Sequence, residues 1–200
     1  MNRLPLWLKV GFTAWLISWI PAYVGFYGPM NFLWLCDLCN FILLIALWTE
    51  SRVLFSSQLV AVLFLDILWT IDVGARLFSG IHPIGGTEYM FNLAIPIHIR
   101  LFSLFHVFTP PLLIWGVFRL GYHSRGLLLQ TVLTCFVLPL SLRVSSPEWN
   151  INWVWGPFGE PQTFVHPWVY LLLCMIFYPA IIYLPTHGLA LLFFRRAQAR

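Results

Sequence analysis

The 200 residues are 60% hydrophobic, 18% aromatic and only 9% charged, with a formal net charge of +4. A soluble domain carries about 25% charged residues, so this composition excludes a water-soluble enzyme, a disordered regulator and a nucleic-acid-binding module. The basic residues sit singly at the ends of apolar runs, not in a patch.

At about 20 residues per crossing of a bilayer, the chain has room for roughly five to seven helices. That predicts an all-α integral membrane bundle, one domain over 1–200. Arg3 and Lys9 flank the start of the first apolar run, 7–27, which is long and lacks a small-x-small cleavage site. It is expected to remain as a first helix rather than leave as a signal peptide. Further runs follow at 32–48, 58–78, 99–120, 127–142 and 168–194, separated by Pro, Gly, Ser or charge. The last is longer than one crossing needs and holds Pro179 and Pro185, which predicts a tilt, kink or break.

Six crossings gather Arg3, Lys9, Arg52, Arg119, Arg125, Arg195, Arg196 and Arg200 on one side, leaving Arg76, Arg100 and Arg143 on the other. The positive-inside rule then places both termini in the cytoplasm, with a bacterial plasma membrane as the expected location. The two long connections, 79–98 and 143–167, fall outside. The first contains His82-Pro83-Ile84-Gly85-Gly86, a turn signal, and the second Trp149, Asn150, Asn152, Trp153 and Trp155. Two readings of the second stay open: an interfacial aromatic belt, or a cap in which Asn150, Asn152 and Trp153 close a substrate cavity.

Ionisable residues inside apolar runs are costly and tend to face a bundle interior or a wet cavity. At about 1.5 Å per residue, Asp37 lies some 9 Å below the outer end of the second run. Asp72 lies at a similar depth in the third, and His106 some 10–12 Å down the fourth. Asp37 and Asn40, three apart, share a helix face with Cys36. Asp72 and Arg76, four apart, are expected to pair, with Trp69 on the same side. Asp66 lies on another stripe near mid-membrane and needs its own partner. Pro110-Pro111 predicts a kink below His106. His166 marks the outer mouth of the last run.

Catalysis needs an acid, a base and an orienting group within reach of one another. His106 is the candidate base, since imidazole exchanges protons near neutral pH. Asp37 or Asp72 would orient it, and Cys36 is the available nucleophile. Arg100 would hold an anionic headgroup, with Asn40, Asn152, Trp153 and His166 completing the substrate-binding set. The competing reading makes these polar groups interhelical glue. Cys36-Asp37-Leu38-Cys39 is also a C-x-x-C pair, but a thiol oxidase needs a second pair and the outer loops hold none. No metal motif is present, and the sequence assigns no cofactor.

Leu33-Trp34-Leu35-Cys36-Asp37-Leu38-Cys39-Asn40, then Asp72, then Arg100-Leu101-Phe102-Ser103-Leu104-Phe105-His106 resembles the pattern of a group of multispan membrane proteins. That group includes the androgen-induced-protein lipid hydrolases and a related acyltransferase of ether phospholipids. The resemblance covers roughly half the chain. It implies a lipid substrate, an intramembrane nucleophile and a histidine, roles that would fall to Cys36 and His106. The threonine nucleophile of the hydrolase branch has no counterpart at Cys36.

The expectation is therefore a membrane enzyme that transfers or hydrolyses acyl groups, with membrane lipid as its partner and no nucleic acid. A carrier for a small solute or protons, using the same acidic residues as a relay, is the second class. A noncatalytic membrane subunit is the third. Oligomeric state is not encoded in any motif.

Overall fold

A computed structural model describes the backbone of residues 4–198 and the side chains of residues 4–194. Arg3 and Arg200, counted above toward the cytoplasmic charge, lie outside the described residues, as do the side chains of Arg195 and Arg196. Helix α1 (Leu6–Tyr27) begins after Pro5 and ends at Gly28, whose positive φ of 80° turns the chain back. A 3-10 turn, Pro29–Leu33, leads into α2 (Leu35–Thr49). Glu50, in the left-handed region, closes α2, and Ser51 opens α3 (Arg52–Ser79) by accepting a hydrogen bond from Leu54 N. The fourth run is split into α4 (Ile97–Phe102) and α5 (Phe105–Leu120). Then come α6 (Arg125–Val144), α7 (Pro167–Phe177), a π-helical turn (Tyr178–Tyr183) and α8 (Leu184–Gln198). The described residues contain no strand.

Five of these helical runs are long and apolar enough to cross a membrane, with α4–α5 and α7–α8 each counted as one. The sixth, α2, is only 15 residues long. It falls short of the expected 32–48 because Pro29–Leu33 forms a 3-10 turn and Trp34 is extended. Even so, α2 runs from one end of the bundle to the other. Its start meets the second long loop, where Leu35 N donates to Asn152 Oδ1 at 2.9 Å. Its end meets the N-terminus, where Glu50 Oε1 takes Lys9 Nζ at 2.7 Å and Leu4 N at 3.2 Å. The described residues thus hold five helical runs of crossing length and the shorter α2.

Helix α3 is the hub, packed on α2, α5 and α6. Two glycines allow that closeness. A Cβ at Gly116 on α5 would meet the Phe55 ring at 2.3 Å, and one at Gly126 on α6 would meet the Ser56 and Ser57 backbone at 2.7 Å. The main core joins α1, α2, α3 and α5 through Trp19, Leu43, Phe55, Phe105 and Leu113. A smaller one joins α6, α7 and the second loop through Leu138, Leu142, Val154, Leu171 and Cys174. At the end that holds Lys9, Tyr122 Oη shares a hydrogen bond with His187 Nδ1 at 2.6 Å, and burial pushes the Tyr122 phenol up to about 12.

The prolines of the last run act through the π-turn. Pro179 has no N–H for the carbonyl four residues back, and the chain adopts wider i→i+5 bonding instead of breaking. That turn carries the fully buried Tyr183, whose hydroxyl meets Thr134 on α6 at 2.7 Å.

Candidate functional site

The break between α4 and α5 makes the site. At Ser103 and Leu104 the chain takes a tight turn in which His106 N bonds to Ser103 O and Val107 N to Leu104 O. Ser103 O is thereby left accessible to the His106 ring, whose Nδ1 lies 2.7 Å from it. A carbonyl can only accept, so Nδ1 carries the proton and Nε2 of the neutral ring presents its lone pair. Trp69 stacks on one side of the imidazole at 4.5 Å and Phe105 lies against it at 4.0 Å. The ring is held in one orientation.

Facing Nε2 is Asp66, with Oδ1 at 4.0 Å. Asp66 is 1% exposed, and neither carboxyl oxygen has a hydrogen-bond partner. A buried carboxyl without donors is costly, and such orphans in native proteins call for an explanation in function or in a bound group. Asp37, 3% exposed, and Cys36 lie on α2. Asn40, fully buried on the same helix, donates from Nδ2 to Cys36 O while its Oδ1 is left without a partner. Thr109 Oγ1, one turn below His106, is likewise buried and unpaired.

The prolines below His106, where a kink was expected, lie inside α5 without ending it. Pro110 has no N–H to give His106 O, and Thr70 Oγ1 approaches that carbonyl at 3.4 Å while donating to Asp66 O at 2.7 Å. The repair ties α3 to α5 at the level of the Asp66–His106 pair.

The geometry corrects the expected pairing of Asp72 with Arg76. Asp72 is fully buried and holds the first long loop. Its Oδ1 accepts Ile84 N at 2.7 Å and Gly85 N at 3.0 Å, while Oδ2 contacts His82 Nδ1 at 2.9 Å and the Thr87 hydroxyl. Arg76 points elsewhere, bonding Gly80 O and lying over the Phe91 ring. Because its oxygens are occupied by the loop, Asp72 does not orient His106, and neither does Asp37, which takes Asn31 Nδ2 at 2.7 Å. Asp66 is the carboxyl beside His106. The sequence singled it out as needing a partner but set it on a separate stripe from Asp72.

The substrate-binding candidates scatter. Asn152 Nδ2 donates to Leu33 O at 2.7 Å and Ser141 Oγ at 3.0 Å, while its Oδ1 caps the start of α2. It is a structural clasp. Asn150 likewise binds its own loop at Gly156 O and Trp155 N. The Trp153 ring lies against Gly86, where a Cβ would stand 3.3 Å from it, so the two long loops touch. Arg100 Nη1 donates to Met90 O at 2.8 Å, leaving Nε buried and unpaired. His166 is exposed at the start of α7, outside the Asp66 cluster.

Tyr89, which sequence reading passed over, reaches in from the first long loop. Its hydroxyl accepts from Trp69 Nε1 at 3.1 Å, and loss of hydration pushes the phenol far above its usual range. Tyr23 Oη meets Ser103 Oγ at 2.6 Å. Nothing in the spacing of Tyr89 marks it, since the loop between is irregular. All four cysteines are free thiols, and among the described residues no group of three His, Cys, Asp or Glu side chains is set to hold a metal. No protein-family model matches the chain, and neither does any curated protein or any solved structure.

Proposed function

We propose that the chain is a six-crossing membrane protein with cytoplasmic termini, and that its interior polar centre carries out acyl transfer or hydrolysis on a lipid or lipid-like substrate. The five crossing-length runs, the shorter apolar α2 between them and the bias of Lys9, Arg52, Arg119 and Arg125 to one end support the topology. The observation that carries the chemistry is the orphaned Asp66 carboxyl facing Nε2 of a tautomerically fixed His106.

In this reading His106 Nε2 takes the Cys36 thiol proton as sulfur attacks an ester carbonyl. A thiol is a weak nucleophile until deprotonated, so a base must remove that proton during attack. The proton passes to the departing alcohol, leaving an acyl thioester. Water or a second lipid hydroxyl, deprotonated by the same imidazole, then takes the acyl group and returns the thiol. Asp66 stabilises the imidazolium between these steps.

The test is intact-protein mass spectrometry of the full chain in lipid nanodiscs. A hydroxylamine-labile acyl adduct on wild type, absent from Cys36→Ser and slow to form in His106→Gln, is expected. Absence of any adduct together with identical lipid turnover by wild type and His106→Gln would overturn the chemistry.

A second reading, a proton-coupled carrier, is favoured by one observation: Asp37 and Asp66 are both buried, and among the described residues neither forms an ion pair with a lysine or arginine. Proteoliposomes distinguish the two. Proton flux lost in Asp66→Asn but kept in Cys36→Ser supports the carrier.

A further inference from the structure

At the end of the bundle that carries the long loops, α6 and α7 diverge around a cleft of about 310 Å³. It is lined by Leu142, Arg143, Trp155, His166, Pro167 and Trp168. The volume is at the small end of ligand pockets, suited to a phosphate with its glycerol rather than to acyl chains. Its polar lining is all donor. Arg143 has no ion-pair or hydrogen-bond partner among the described residues. His166 Nδ1 accepts Trp168 N at 3.4 Å, so Nε2 carries the ring proton and can donate. No carboxylate lines the cleft.

The surroundings suit a lipid more than a free anion. Trp155 and Trp168 supply indoles of the kind that settle at headgroup level, and Trp155 is fixed there by its Nε1 bond to Ser145 O at 3.1 Å. Exposed Leu140, Val169 and Leu172 on α6 and α7 offer apolar surface to tails. An arginine fork matches two phosphate oxygens, which a scattered surface lysine would not.

We infer that this cleft binds the phosphate of an anionic phospholipid headgroup through Arg143 and His166, with the acyl tails along α6 and α7. The site rests on the membrane topology proposed above but not on the chemistry of the Asp66–His106 centre, because it is read by binding rather than turnover. It lies against the smaller core of α6, α7 and the second loop, which belongs to a different packing unit from His106.

Native mass spectrometry of the full chain in neutral detergent tests it, with phosphatidylglycerol, phosphatidylcholine and inorganic phosphate as probes. Phosphatidylglycerol should be retained, with affinity falling roughly tenfold in Arg143→Gln and less in His166→Gln. Arg143 is exposed, so circular dichroism of that variant should match wild type. Equal phosphatidylglycerol binding by wild type and both variants would overturn the site. Equal retention of phosphatidylcholine would overturn its anion preference, and full displacement of the lipid by millimolar inorganic phosphate would make it a free-anion site instead. A chain that does not partition with membranes overturns the topology, a failure separate from any of these.

Discussion

Nε2 of His106 stands 4.0 Å from Oδ1 of Asp66, and the carboxyl has no hydrogen-bond donor of its own. A group kept for packing should contribute stability, whereas one kept for chemistry costs it. Asp66→Leu is therefore expected to raise unfolding stability by about 1–3 kcal/mol, the cost of an unsatisfied buried polar group, while abolishing turnover. Thermal melts in detergent beside a lipid assay check both halves. A destabilised Asp66→Leu would mark the residue as interhelical glue.

The Thr70 hydroxyl compensates for Pro110. In the wild-type background Thr70→Val is expected to cost about 1 kcal/mol, since Asp66 O loses the 2.7 Å bond and His106 O the weaker 3.4 Å arm of the same shared proton. In a Pro110→Ala background the restored N–H serves His106 O, and the cost of Thr70→Val should shrink by the weaker arm alone, a few tenths of a kcal/mol. A double-mutant cycle measures the difference directly.

Asp72 binds four groups of the first long loop, two of them backbone amides. Asp72→Ala is expected to destabilise by about 3 kcal/mol or more and to open 80–87 to protease. Arg76→Gln, at an exposed position, should stay within about 0.5 kcal/mol of wild type with unchanged digestion. Limited proteolysis with mapped cleavage sites separates the two residues.

How far the sequence led can be judged residue by residue. Hydropathy found the five runs of crossing length and the shorter α2, because outward-facing and core-facing positions are both largely apolar and leave little else to decide. Helical spacing placed Asp72 and Arg76 within reach of each other. It could not see that Ile84 and Gly85 bring backbone N–H groups to Asp72, since a loop's return path leaves no periodic signal. Depth counting set Asp66 below His106 by treating both helices as straight and perpendicular to the membrane. Across the packed α3 and α5 the two side chains nonetheless come within 4.0 Å of each other. Tyr89 was invisible for the same reason as the Asp72 clasp.

Asn152 makes one acceptor and two donor contacts around the start of α2. Asn152→Ala should cost about 2–4 kcal/mol and loosen the second loop, with hydrogen exchange at Leu35 N the most sensitive report. Asn152→Asp keeps the acceptor to Leu35 N but loses both donations, so it should fall between.

The same clasp has a bearing on how the protein is made. Leu35 and Asn152 are 117 positions apart, so at about 5–20 residues per second the ribosome reaches Asn152 roughly 6–23 s after Leu35. Through that interval α2, the shortest traverse, carries an uncapped N–H at its start. Its final seating waits for a partner from the far side of the chain, so the start of α2 settles only after the second long loop has been made.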